Sequence, residues 1–145
     1  MDRGAIAVWR GNGNNGKGSV STDTGALQER RYSTRSSFEQ TGQDPITGTN
    51  PEELLGAAHA ACFSMALAMR LSDAGYEASE IRTEARVHME KVGRDWVISE
   101  VQLHCTARVP RIEVEEFHEL AHMAKVGCPI SRALKTDITL TTTLG

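Results

Sequence analysis

Two cysteines in unlike surroundings offer this chain its chemistry. Cys62 lies within the apolar run Leu54-Leu55-Gly56-Ala57-Ala58-His59-Ala60-Ala61-Cys62-Phe63, and Cys128 within Val126-Gly127-Cys128-Pro129-Ile130. Sulfur reacts as the thiolate, and burial opposes ionisation, so a thiol buried in an apolar helix stays inert unless a cation stands beside it. A guanidinium suits that role because it remains charged at any working pH, and Arg35 is the leading candidate. Glu52, on the first turn of the helix that carries Cys62, could hold that guanidinium as a bidentate pair. Pro129 favours a first helical position, which puts Cys128 at an N-cap, where unpaired backbone N–H groups favour an anion. Cys105 falls among alternating apolar residues and reads as a small core residue.

Two other chemistries compete. His118-Glu119-Leu120-Ala121-His122 fits HExxH, the pattern of a zinc-dependent hydrolase in which imidazoles at i and i+4 hold the metal and the glutamate is the base. Its context is poor: Glu119 points away from the apolar stripe, and the extended motif fails at Lys125 and Cys128. His59 precedes Cys62 by one helical turn, the spacing of a Cys-His hydrolase. A mid-helix thiol, however, has no free N–H groups to stabilise a tetrahedral intermediate, so His59 reads as a polar residue in a helix contact.

The elements that must position these groups follow from local pattern. Short strands are expected at Ala5–Arg10, Lys17–Thr22 and Ala26–Tyr32, joined by the turn Gly11-Asn12-Gly13-Asn14-Asn15-Gly16, with a further strand at Ser33–Glu39. Gln40 to Thr49 reads as a mobile loop over a site. Asn50 as N-cap, Pro51 at the first position and Glu53 at the capping-box position announce a helix that is apolar nearly all round from Leu54 to Met69. Such a helix needs cover on most sides, and a dimer interface is the natural remedy. In the next strand Thr83, Ala85, Val87 and Met89 share a face; in its partner Val97, Val101, Leu103, Cys105, Ala107 and Val109 do. An amphipathic helix at Glu113–Lys125 turns Val114, Phe117, Leu120, Ala121 and Ala124 inward and stops at Gly127, and a short helix and an alternating strand close the chain. The order describes one α+β domain over 1–145.

With 145 residues, 39% of them hydrophobic, the chain can bury a core, and its net charge of −3 gives no basic field for nucleic acid. The N-terminus lacks a signal-peptide pattern and no apolar run reaches a bilayer span, so a cytoplasmic protein with no membrane partner is expected. Its three cysteines include no CxxC pair, so any disulfide must be long-range.

The stretch Thr49-Asn50-Pro51-Glu52-Glu53-Leu54-Leu55-Gly56-Ala57-Ala58-His59-Ala60-Ala61-Cys62-Phe63-Ser64-Met65-Ala66-Leu67, with Lys125-Val126-Gly127-Cys128-Pro129-Ile130-Ser131, resembles the OsmC/Ohr family of thiol peroxidases, and closely its OsmC (osmotically inducible protein C) branch. Gly16-Lys17-Gly18-Ser19-Val20-Ser21-Thr22 and Ile138-Thr139-Leu140 also fit, so the resemblance spans nearly the whole chain. It implies an α+β, OsmC-like intertwined homodimer whose long central apolar helices are wrapped by mainly antiparallel sheets. It also implies a cysteine-based reduction of organic hydroperoxides, and more weakly of hydrogen peroxide, without cofactor or metal. By position, Cys62 matches the attacking cysteine, Cys128 the resolving one, and Glu52 the glutamate that pairs with the active-site arginine. That arginine stands in a Thr-Arg-Phe-Glu stretch in the branch, where this chain reads Thr34-Arg35-Ser36-Ser37-Phe38-Glu39. The two extra residues preserve facing if the segment is a strand, and Arg31 or Arg10 are the alternative cations. Phe63, Phe38 and Met65 are the apolar neighbours available to an alkyl tail. The implied reductant is an external dithiol, lipoyl-type groups included.

Overall fold

The computed structural model describes residues 1–39 and 48–145. The loop expected over 40–49 therefore falls, for residues 40–47, outside the described residues. The chain forms two compact units, Met1–Leu54 and Leu55–Gly145.

In the first unit, strands β1 (Ala5–Arg10), β2 (Lys17–Thr22) and β3 (Arg30–Tyr32) form an antiparallel sheet in that order. The glycine-rich link is the expected turn: Asn12 Oδ1 accepts from the Asn14 and Asn15 N–H groups at 3.0 and 2.8 Å, and Gly11 adopts φ +98°. The third strand is shorter than Ala26–Tyr32 because the chain first doubles back. The Thr22 N–H reaches the Leu27 carbonyl at 3.0 Å, and Glu29 takes φ 45°. The Trp9 and Tyr32 rings approach to 5.7 Å across Gly18, where any Cβ would strike the Tyr32 ring.

Ser33–Glu39 is not a strand. Ser33 caps helix α1 (Thr34–Phe38) through a reciprocal box: its Oγ accepts from the Ser36 N–H at 3.1 Å, and Ser36 Oγ accepts from the Ser33 N–H at 2.9 Å. Two local bonds within four residues outcompete an extended conformation, so the period-two rule that aligned Arg35 with the family pattern does not apply. Helix α2 (Pro51–Asp73) starts as expected, with the Glu53 N–H on Asn50 Oδ1 at 2.8 Å. The Glu53 carboxylate, however, takes the Thr49 hydroxyl at 2.8 Å. Asn50 Nδ2 donates to the Ser36 carbonyl at 3.1 Å and ties this cap to α1.

In the second unit, β4 (Glu80–Val92), β5 (Asp95–Arg108) and β6 (Asp137–Leu144) form a sheet in the order β4-β5-β6. The first pair is antiparallel and the second parallel. The parallel pair requires a crossover, supplied by α3 (Val114–Gly127) and α4 (Pro129–Ala133). Along α2 the buried positions Gly56, His59, Phe63, Leu67 and Leu71 make one stripe at helical spacing. It packs in a core with Val101, Leu103, Cys105 and Ala107 of β5 and Phe117, Ala121 and Ala124 of α3. Cys105 is thus the core residue its alternation suggested. By length and composition α2, at 23 residues with a mean hydropathy of 1.5 in its most apolar stretch, does meet the requirement of a membrane span, against the expectation. Its stripe is nonetheless covered by protein.

Three expectations are corrected here. A register shift opposite His88 and Met89 leaves Ser99 as an extra residue in β5, so Ile98 packs on the core while Val97 is exposed. Val114 is half-exposed rather than inward. Gly127 is the last residue of α3 and adopts no positive φ; what it provides is space, since its missing Cβ would stand 3.3 Å from the Arg70 guanidinium.

Candidate active site: a thiol pair beside a buried histidine

The second unit brings Cys62 and Cys128 together. Both thiols are free, and the two sulfurs are neighbours whose interaction raises Cys62 and lowers Cys128. Cys62 is half-buried rather than buried, while Cys128 is fully enclosed, so only Cys62 offers a face to an incoming reagent. Cys128 links two helices: its N–H closes α3 on the Ala124 carbonyl at 2.9 Å, and its carbonyl accepts the Arg132 N–H at 3.0 Å to open α4.

The electrostatics of the two sulfurs differ in sign. Burial raises the Cys62 thiol above its ordinary value, and its bond to Cys128 raises it further, opposed by the Ile130 N–H. Burial would also raise Cys128, but donors outweigh it: the Ser131 N–H, the Cys62 S–H, the Ser131 hydroxyl and the Ile130 N–H together bring it below the ordinary value. No closed side-chain cap bond forms, yet these N–H groups face the sulfur as an N-cap position should. The pair therefore shares its protons as a unit, with the first anion favoured on Cys128.

His59 stands behind them. It is fully buried, its Nε2 lies 2.8 Å from Ser131 Oγ, and burial holds its pKa below 6.5. Its Nδ1 has no hydrogen-bond partner among the described residues. The helix contact expected of His59 is thus made, but its partner on α4 had no signature within the α2 segment.

The other expected residues belong to the first unit. Arg35, on α1, forms an exposed ion pair with Glu39. Glu52 Oε2 is buried without a hydrogen-bond partner among the described residues, so a two-oxygen clamp on Glu52 is not closed. Arg10 and Arg31 line one groove of about 770 Å³ with Lys17, because the pairs Arg10–Lys17 and Ser19–Arg31 put all three cations on one face of the sheet. Phe63 is core and cannot line a substrate pocket, whereas Met65 and Phe38 are exposed. The HExxH run lies on the outer face of α3, where His118 Nδ1 meets the Thr142 hydroxyl at 3.1 Å. Among the described residues no third His, Cys, Asp or Glu joins these groups as a metal ligand.

The comparisons with known proteins agree with this fold. Peroxiredoxin OsmC of Escherichia coli is 45% identical over 134 residues, which span 92% of this chain and 90% of that protein. An organic hydroperoxide resistance protein from Elizabethkingia anophelis superposes with a TM-score of 0.75 at 26% identity, covering 100% of this chain and 97% of the other. An OsmC-like protein of unknown function from Vibrio cholerae shares the fold at a TM-score of 0.81 and 14% identity, over 99% of both chains. The OsmC-like protein family matches residues 41–143, a span that holds both cysteines, the α2 motif and the whole crossover. With a matched sequence span, a shared fold and the paired thiols within it, this chain belongs to the OsmC-like family.

Proposed function

We propose that this chain is a thiol-dependent peroxidase that reduces organic hydroperoxides. The feature that carries the proposal is the pairing of the half-buried Cys62 thiol with the enclosed Cys128 thiol, near enough for each to shift the other's ionisation. The names of its relatives, a peroxiredoxin and an organic hydroperoxide resistance protein, support the same reading.

In this mechanism the Cys62 proton moves along its hydrogen bond to the Cys128 sulfur, and the Cys62 thiolate attacks the peroxide O–O bond. The terminal peroxide oxygen passes to Cys62 as a sulfenic acid, and the departing alkoxide or hydroxide takes the proton that Cys128 received, leaving as alcohol or water and returning Cys128 to the thiolate. Cys128 condenses with it, forming a disulfide and releasing water, and an external dithiol restores both thiols by exchange. Burial and the neighbouring Cys128 hold the Cys62 thiol up, so a cation near Cys62 is what would favour its thiolate; we assign that role to the Arg35 guanidinium, held by Glu52 in the reactive state. An unpaired buried carboxylate oxygen is costly, which is the reason to expect Glu52 to take a cationic partner. We assign a homodimer as the working form. Met65 and Met69 on α2 and Ile6 on β1 stand 65%, 67% and 66% exposed on the single chain, and a second copy would cover them.

The test is to treat reduced protein with an alkyl hydroperoxide. Stoichiometric alcohol, loss of two thiols and one intramolecular Cys62–Cys128 bond are expected. Consumption of peroxide with Cys62 still reduced would overturn the mechanism.

A further inference from the structure

His59 does no work in the mechanism above, yet it is the largest buried polar side chain of the second unit and lies one bond away from the thiol pair. Its proton can be placed. A proton on Nδ1 would be a buried N–H with no acceptor among the described residues, so it resides on Nε2, where Ser131 Oγ lies at 2.8 Å. Nε2–H then donates to Ser131 Oγ. The serine hydroxyl has one proton of its own, and with its oxygen engaged from the histidine side that proton is directed to its other contact, the Cys128 sulfur.

We propose that His59 and Ser131 are positioning residues for the resolving thiol: the buried imidazole fixes the Ser131 hydroxyl so that its proton points at Cys128. The result is a one-directional chain from His59 through Ser131 to the Cys128 sulfur, met from the other side by the Cys62 S–H. Among the described residues, the titratable or charged groups placed near Cys128 are Cys62 beside it, His59 through Ser131, and Arg70, whose guanidinium lies against Gly127. The lowered pKa of Cys128 accords with this chain.

This inference deepens the peroxidase reading and rests on it for its catalytic consequence. Once Cys62 is a sulfenic acid, the Cys128 thiolate attacks the Cys62 sulfur. The S–S bond forms, the S–O bond breaks, and the departing hydroxide takes up a proton from solvent to leave as water. Ser131 acts by favouring the ionised form of Cys128 at that step.

The experiment has two arms, both on the full chain. Thiolate absorbance of the reduced protein is titrated against pH in the wild type, in Ser131→Ala and in Ser131→Thr, with Cys128→Ser identifying which thiol ionises first. Losing one hydrogen bond to an anion raises the first midpoint by about one pH unit in Ser131→Ala, and Ser131→Thr, which keeps a hydroxyl, restores it. In the second arm, disulfide closure after one equivalent of alkyl hydroperoxide at neutral pH slows about tenfold in Ser131→Ala and recovers in Ser131→Thr. Thermal unfolding of each variant confirms that it is folded. A wild-type midpoint and closure rate in Ser131→Ala would overturn the inference. A wild-type protein that leaves the hydroperoxide untouched would sink the peroxidase reading instead, while the titration, repeated in His59→Gln with the same rise expected, still judges the roles of His59 and Ser131.

Discussion

The β4-β5-β6 sheet buries Val101, Leu103, Cys105 and Ala107 against two helices, whereas the β1-β2-β3 sheet leaves Ile6, Val8 and Trp9 open, at 66%, 38% and 37% exposure. Both are three-stranded and both contain apolar residues at alternating positions, so propensity does not separate them. What separates them is cover. The second unit supplies its own through α2 and α3, while the first has only the short helix α1 and the opening turn of α2. The chemistry divides along the same line: the thiols, His59 and Ser131 belong to the self-covered unit, and Arg35 and Glu52 to the uncovered one. In the proposed peroxidase the thiol pair thus belongs to the unit with its own core, and the assigned cation to the unit that leaves its apolar residues open.

That contrast can be broken in several ways. Cys62→Ser should abolish peroxide turnover outright, and Cys128→Ser should stop it after one oxidation, as read by alcohol released per protein chain. Turnover surviving in Cys62→Ser would move the chemistry out of the second unit's contact pair. Phe63→Ala should cost about 3–5 kcal/mol in chemical denaturation, since it empties a fully buried ring site in the larger core. A loss below about 1 kcal/mol would mean that α2 is not anchored as described. Ile6→Asp, on the open sheet, should leave a folded second unit and shift sedimentation from dimer to monomer; an unchanged dimer would place the interface elsewhere. The smallest effect is the pH dependence of His59. Its folded pKa lies below the unfolded value of 6.5, so the unfolded chain binds the extra proton. Stability should be complete above pH 6.5 and decline as the pH falls through and below that value. In His59→Gln that slope should flatten, and an identical slope would assign it to other groups.

Much of this was legible in the residues because its causes are local. Asn50 and Pro51 announce α2, alternation announces β4, and a cysteine before a proline announces a helix junction. The errors have non-local or competing causes. Ser33 and Ser36 form a box that four residues suffice to close. The Ser33-x-x-Ser36 spacing was the available signal. The facing of Val97 depends on a bulge set by pairing with β4, which no window on β5 contains. Glu52 could be recognised by its motif, but its unpaired buried oxygen could not, and the Ser131 partner of His59 is brought there by the crossover.

That crossover has a consequence for how the protein is made. Cys128 is held between α3 and α4, and these helices are in turn pinned by the parallel pairing of β5 with β6, the strand that follows them in the chain. Parallel pairing across so long a connection forms late, because the loop must close before the contacts repay it. On the ribosome, Cys62 emerges well before its partner can dock, and in that interval it is a lone thiol with neither a proton acceptor nor a resolving group. The Cys62–Cys128 pair is therefore assembled only once β6 is in place, and until then Cys62 is a thiol without its neighbour.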